Sequence, residues 1–402
     1  MRILIFNPDE KGHSLVFLKL LIPPLASMGC EVALAITKQG AESDEFRLHL
    51  GPLADRFEVD AAVRPAPGLS ERRKRITEFV AAVNRSNANH VMLPYSDPLL
   101  PALGVYAALG RPLVPPEKTA DYTLIRADFA YSTNAAKQRA RSWVKERCIA
   151  GLPAGSVSLI DPVAYQRILQ RGSCLAQRLC LLPEPLDNVV PIARAEARKR
   201  LGLPGDGRIL GCTGRIGIRK GVDVLLRAFA QADLKSDDRL LLAGEVDSEI
   251  TQLMERDLGG LARSGRIILL NRYLSDEELN WVICASDVVA ATYLTSHSAP
   301  SGIVNKSAVI GRPVLASRFG WSDYMVPEFG LGTLTDATDL RILSGDIAVA
   351  LDKSGSFLQS PKTARLREYL SPENFAASWT ANVAGRLGHP VPELKTWDWV
   401  TG

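Results

Sequence analysis

An α/β architecture of two Rossmann-like, doubly wound domains facing each other across a cleft is predicted by three features of the 402-residue sequence. Short apolar strands alternate with amphipathic helices from the first residues onward, a pattern that calls for parallel sheets covered on both faces. A proline-bearing stretch near the midpoint, Leu181-Leu182-Pro183-Glu184-Pro185-Leu186-Asp187, suits an extended linker between two such sheets. Two strand–glycine loop–helix units in the second half have the form that α/β sheets use to hold phosphates at the carboxyl ends of their strands. The domains are drawn at 1–187 and 188–375, with 376–402 returning to the first domain.

The composition is that of a globular chain, 46% hydrophobic and 23% charged. A net charge of +4 fits anionic ligands or an anionic surface and does not call for nucleic acid. The six cysteines are dispersed without a CxxC pair, so neither a zinc site nor a disulfide framework is indicated. Cys212 and Cys284 lie in apolar surroundings and read as small core residues. No metal and no cofactor is expected. The opening MRILIFNP reads as a strand, because its apolar run is too short for a signal peptide, and no stretch is long enough to span a bilayer. The expected location is cytoplasmic, peripheral to the inner face of a membrane.

In the first half, Ile3–Phe6 reads as a buried strand and the polar loop after it carries His13. A histidine there can act as a base or orient an acceptor. Ser14 is positioned to cap the next helix, and Pro23-Pro24 predicts a kink or break near Ile22. Strands are expected at Glu31–Ile36, Phe57–Val63 and His90–Pro94, with Asp97-Pro98 opening the helix after the last. The helix Ser70–Arg85 sets Ile76, Phe79, Val80 and Val83 on one face and Arg72, Arg73, Lys74 and Arg75 on the other. A second basic run holds Arg126, Lys137, Arg139, Arg141, Lys145 and Arg147 around Trp143. Such runs are commonly solvated helix faces. They also suit a surface that docks on anionic lipid, where each basic residue contributes about 1 kcal/mol.

In the second half, Ala195–Leu201 reads as a short basic helix and Arg208–Thr213 opens a new sheet. Thr213-Gly214-Arg215-Ile216-Gly217-Ile218-Arg219-Lys220-Gly221 then runs into the helix Val222–Ala230. Arg215 and Lys220 flank this turn and can hold the oxygens of a leaving diphosphate, one as a fork and the other as a point charge. The spacing is neither that of a Walker loop nor that of the dinucleotide fingerprint. Arg239–Gly244 and Arg266–Leu270 are further strands, with Glu245 beyond the first of them. Ser275 and Glu278 form a capping box. Asp287–Tyr293 is a buried strand, and a polar loop with His297 and Ser298 leads to the helix Gly302–Ile310. Ile303, Ala308 and Ile310 are its expected inner side. Its first amides lack intrahelical partners, and Ser301-Gly302 lets an anion approach them. Trp397-Asp398-Trp399 near the end implies packing of the last segment against the first domain.

The runs ARKRLGLP, TGRIGIRKGVDVLLRAF, LLLAGE, NRYLSDEEL and PSGIVNKSAVIGRPVLAS resemble the carboxyl domain of GT-B nucleotide-sugar glycosyltransferases. The resemblance is to the retaining group that includes sucrose-phosphate synthases and mannosyltransferases, and it is strong over Ala195–Gly320. It implies transfer of a sugar from a nucleoside-diphosphate sugar to a glycan or lipid-linked acceptor, without a metal. It further implies that Gly214, Arg215 and Lys220 bind the diphosphate with Ser301, Gly302, Ile303 and Val304. Arg272, Tyr273 and Leu274 match the segment that reads the base. The group carries two glutamates in an E-x7-E pattern, and this chain has Ala299 and Ser307 in their places. Ser307 retains a hydroxyl for the ribose, and Ser298, His297 and Glu245 are the nearby polar groups for the sugar. The alternative is a non-catalytic GT-B relative that binds a nucleotide, a glycan or a partner enzyme.

Overall fold

The computed structural model describes the chain except residues 9–12, 66–70, 132–135, 153–154, 173–174, 176–177, 187–188 and 295–298. The side chains at 13, 14, 71, 72, 128, 136–138 and 141 are also outside the description. The chain divides into two units, one made of Met1–Pro185 with Tyr369–Trp399 and the other of Leu186–Glu368 with Val400–Gly402.

The first unit is built on seven parallel strands: β1 (Arg2–Phe6), β2 (Glu31–Thr37), β3 (Glu58–Val63), β4 (His90–Leu93), β5 (Thr119–Leu124), β6 (Val157–Leu159) and β7 (Leu179–Leu181). Their order is β3-β2-β1-β4-β5-β6-β7. β1 and β4 are buried throughout or nearly so, as expected for central strands covered on both faces. The helix His13–Ser27 covers β1 and β2 with Leu15, Leu18, Leu21, Ile22 and Leu25. Pro23 and Pro24 do not break it. Only one turn remains beyond them, and the buried apolar row Leu18–Leu21–Leu25 holds that turn in register. The helix Pro372–Leu387 belongs to this unit and packs on the same core. Phe17 lies 5.3 Å from Phe375 and 6.1 Å from Trp379, ring centre to ring centre. Trp397 is buried and stacks edge-on against Tyr369 at 5.3 Å.

Two expectations change here. Asp97 does not open a helix, which begins instead at Leu100. Its carboxylate crosses to the adjacent strand end and accepts from the Ile125 and Arg126 amides at 2.9 and 3.0 Å. Leu181 does not belong to a linker, because it completes the edge strand β7 by pairing with Leu159.

The second unit carries β8 (Ile209–Thr213), β9 (Arg239–Ala243), β10 (Ile267–Leu270), β11 (Val288–Ala291), β12 (Val314–Ser317) and β13 (Gly332–Thr335). All are parallel, in the order β10-β9-β8-β11-β12-β13. The helix Val222–Gln231 buries Val222, Leu225, Leu226 and Phe229 against this sheet. Ser275 and Glu278 make the predicted capping box at the start of Asp276–Ala285. A buried ion pair anchors the short helix Arg194–Arg200. The Arg198 guanidinium donates to Asp287 at 2.7 Å and to the carbonyls of Ala285, Gly205 and Gly207. Asp287 in turn accepts from the Ile209 amide at 2.7 Å. A buried charge is tolerated only when paired and hydrogen-bonded in this way.

Candidate functional site

The strand order of the second unit reverses between β8 and β11, which are direct neighbours. One connection leaves β8 toward β9 and the other leaves β11 toward β12, so a crevice opens at their carboxyl ends. Both predicted glycine loops emerge there. They touch: the Thr292 hydroxyl donates to the Lys220 carbonyl at 3.4 Å. Gly221, at φ +66°, sits so close that a Cβ would lie 2.3 Å from the Thr292 carbonyl oxygen. Any side chain there would clash, so glycine is required for the loops to meet.

From Thr292 the contacts continue to the start of the helix Gly302–Ile310. Ser317 Oγ donates to the Tyr293 carbonyl at 2.5 Å, and the Tyr293 hydroxyl lies 3.0 Å from Ser301 Oγ. Ser301 is the N-cap of that helix and accepts from the Val304 amide. Val304, expected to bind phosphate, therefore has its amide occupied by the cap, and its side chain is buried. The Gly302 and Ile303 amides fall on the first two helical positions, where the backbone supplies no acceptor and the helix dipole favours an anion.

The two cations differ. Lys220 is half-buried, and its ammonium donates to the Thr213 carbonyl at 2.5 Å, next to Gly214. A Cβ on Gly214 would stand 2.7 Å from that nitrogen, so the glycine leaves room for the lysine to fold over the loop. Arg215 is 74% exposed, and its Nε donates to Asp247 at 2.9 Å. Exposure and pairing leave the arginine with less unbalanced charge than the lysine has.

The other predicted residues occupy varied settings. Arg272 is exposed and ion-paired to Glu278 at 2.7 Å, Tyr273 is exposed, and Leu274 is buried in the core beneath them. That pairing, with the Ser275 amide, holds the Glu278 carboxyl down at about 2. Ser307, expected to face a ribose, is fully buried and donates to the Ile303 carbonyl at 2.7 Å. The buried residues of its helix are Val304, Asn305, Lys306, Ser307 and Ala308, whereas Ile303 and Ile310 are half-buried. These five are consecutive and go once around the helix, so its middle is enclosed on every side, and of the expected inner residues Ala308 is buried. Lys306 lies 3.6 Å from Asp276. Ala299 is half-buried. Ser298 and His297 lie outside the described residues, as does the side chain of His13.

Two groups in the first unit were not singled out from the sequence as site candidates. Asp97 stands past the carboxyl end of β4, where burial raises its pKa to about 6 against two backbone hydrogen bonds. Asp161 stands past β6, wholly buried, bonded to the Tyr131 hydroxyl at 2.7 Å and to the Ala164 amide at 2.9 Å. Burial raises it to about 7. Their position just beyond an apolar strand was the available signal.

Two parallel-sheet α/β units with these strand orders have the GT-B fold of the glycosyltransferases. Anabaena HepE, solved in complex with UDP, matches 96% of this chain and 100% of its own at a TM-score of 0.68 and 16% identity. Sucrose-phosphate synthase from Thermosynechococcus elongatus matches 96% of this chain and 99% of its own at 0.68 and 18% identity. At such identities the likeness speaks to the fold. Residues 207–348 match the family described as Glycosyl transferases group 1. D-inositol 3-phosphate glycosyltransferase of Mycolicibacterium smegmatis is 33% identical over 217 residues, 52% of this chain and 49% of that protein. The GDP-mannose-dependent alpha-(1-6)-phosphatidylinositol monomannoside mannosyltransferase of the same organism is 30% identical over 181 residues, 43% and 44% respectively. The chain thus spans about half the length of the curated relatives it matches. The match to the group 1 glycosyltransferase family lies within the second unit.

Proposed function

We propose that this chain is a hexosyltransferase that moves a sugar from a nucleoside-diphosphate sugar to a glycan or lipid-linked acceptor, without a metal or other cofactor. The observation that carries this reading is the meeting of the two glycine loops at the crevice between β8 and β11. When the bond between the anomeric carbon and the diphosphate oxygen breaks, the electron pair stays with the diphosphate. Lys220 and the Gly302 and Ile303 amides, held in place by the loops, are the groups to receive that charge, with Arg215 joining them once it leaves Asp247. Gly214 and Ser301 shape the loops around it, and Arg272, Tyr273 and Leu274 supply the segment for the base. The relatives named for inositol phosphate and phosphatidylinositol monomannoside favour an acceptor with a polyol or lipid-linked headgroup.

The test is turnover across a panel of nucleotide sugars with and without a chelator, read by mass spectrometry of the products. Transfer that survives chelation supports the reading. Absence of both transfer and nucleoside diphosphate binding overturns it. Ala299 and the inward-bonded Ser307 favour a second reading, a non-catalytic relative that binds the nucleotide. Diphosphate binding by calorimetry with no turnover on any donor would select it.

The acceptor reading extends to a lipid surface. No helix among the described residues is long and apolar enough to cross a membrane. The helix Ala136–Ala150 instead exposes Trp143 at 60% and Val144 at 51%, with exposed Arg139 and Arg147 beside them. Arg147 lies over the Trp143 ring at 5.5 Å. Anionic vesicles should retain the protein at low salt and release it at high salt. Retention that ignores salt removes the basic run from the account.

A further inference from the structure

The amino edge of the first sheet, opposite the carboxyl ends of its strands, holds an open cavity of ≈ 550 Å³. It lies where β6 and β7 begin and where the helix Pro372–Leu387 ends. Ser156, Arg178, Cys180, Asn382 and Arg386 line it, with Gly155 at its margin. The charged side chains in its lining, among the described residues, are two guanidiniums, and the Asp121 carboxylate stands behind them.

Behind the lining is a buried polar cluster that sets the direction of each hydrogen bond. Arg386 Nη1 donates to Thr119 Oγ1 at 2.6 Å and to His90 Nδ1 at 2.8 Å. A guanidinium cannot accept, so His90 Nδ1 is the acceptor and Nε2 carries the proton. That proton points to Asp121 Oδ2, 3.2 Å away. Asp121 Oδ1 accepts from the Ser156 hydroxyl at 2.8 Å and from the Ser156 amide at 3.2 Å. Burial works against this carboxylate, yet the bonds from His90 and Ser156 outweigh it and hold its pKa below the ordinary value. Asp121 thus has both oxygens engaged, and it stands 3.9 Å from Arg386 Nη2, beyond hydrogen-bond reach.

This arrangement bears on a ligand in two ways. Among the described residues no acceptor takes the Nε or Nη2 protons of Arg386, whose side chain is one-third exposed at 33%. A guanidinium edge with unmatched donors is the geometry that binds phosphate oxygens in pairs. Ser156 has given its own proton to Asp121, so its remaining lone pairs accept from a hydroxyl. Anion capture beside a hydroxyl acceptor, in a space much larger than one phosphate ion, describes a polyhydroxylated phosphomonoester.

We infer that this cavity binds a sugar or polyol phosphate, with Arg386 on the phosphate and Ser156 on a ligand hydroxyl. Such a ligand ties the helix Pro372–Leu387 to the start of β6 and β7, both within the first unit. Binding therefore stabilises that unit. The site lies on the other sheet edge from Asp97 and Asp161, and on the other unit from Lys220.

The experiment uses the full chain with glucose 6-phosphate, glucose and inorganic phosphate as separate probes. Glucose 6-phosphate should raise the unfolding temperature and slow alkylation of Cys180, read peptide by peptide, while glucose does neither. Arg386→Gln should weaken binding of the ester by about tenfold or more, the scale of one charge-assisted pair. Asn382→Asp, which places a negative charge in the cavity and spares the buried cluster, should abolish binding without loss of the folded state. Lys220→Ala should leave it unchanged. No stabilisation by the ester up to about 10 mM overturns the inference, as does full binding by Asn382→Asp. Equal binding of inorganic phosphate overturns the assignment to a sugar or polyol ester.

Discussion

The two units share the strand order 3-2-1-4-5-6, counting within each sheet, and the first adds a seventh strand at its edge. They differ in the residues that stand just beyond the strands. In the second unit, β8 and β11 end in loops that present an ammonium and bare helix amides, with Gly214 and Gly221 making the close approach. In the first unit, carboxylates stand beyond β4 and β6: Asp97, half-buried and held by backbone amides, and Asp161, buried and held by an amide and a tyrosine. The same scaffold can thus gather positive potential at one strand edge and suppress negative charge at another. The cause is which strand-end residue is drawn inward, since sheet geometry is common to both.

The cores also differ, and the largest effects should appear there. The first unit relies on an aromatic trio, with Phe375 and Trp379 5.0 Å apart. The second relies on the Arg198–Asp287 pair. Arg198→Ala removes the buried partner of Asp287 and leaves it the half-exposed Arg194 and the Ile209 amide, and should cost about 3 kcal/mol in denaturant unfolding. Trp379→Ala should cost a similar amount, about 3–5 kcal/mol, through lost packing. A calorimetric scan that separates the two units should show each variant lowering its own transition. A shared shift would break the comparison.

Next in size is the pH response of the first unit. The folded pKa of Asp161, about 7, stands above the ordinary 3.8. Its contribution to stability is therefore fully present below 3.8 and is lost as pH rises through about 7. Asp97 adds the same sign with its midpoint at about 6. The first unit should lose stability, on the order of a few kcal/mol, between about pH 4 and 8. Asp161→Asn should flatten that slope, and a slope that survives in the variant would place its origin elsewhere.

At the donor loops, Lys220→Ala should weaken nucleoside diphosphate binding by about 1.5–3 kcal/mol. Arg215→Ala should weaken it less, because that side chain is exposed and already faces Asp247. Calorimetry with UDP measures both, and a larger loss at Arg215 would reverse the ranking of the two cations. The smallest effect is expected at the cap. Ser301→Ala frees the Val304 amide and should cost about 1 kcal/mol of stability in the second unit, read by denaturant unfolding.

Much of this fold was legible in the sequence because its signals are local. Gly302–Ile310 was bounded correctly by the serine before it and the glycine after it, and Ser275–Glu278 formed the box their spacing predicts. Three-residue strands such as β6 carry too few residues for a pattern, so Val157–Leu159 escaped notice. The helix Gly320–Phe329 was hidden by its opening glycine and by Pro327 in its last turn. Within the candidate site, the glycines and cations were readable from spacing, whereas the inward turn of Ser307 was not. Helical periodicity ranks faces by apolar content, and here the middle of the helix, Val304 to Ala308, is enclosed on every side.

By itself the sequence determined where strands and helices alternate, which glycines permit close approach, and which cations flank them. These properties depend on neighbours a few positions apart. Only the tertiary structure decided which charges are buried and what they face. Arg198 meets Asp287 across 89 positions and Arg386 meets His90 across 296. Pairings at such separations are set by how the sheet stacks its strands and by the cost of leaving a buried polar group unmatched, and no local pattern encodes them.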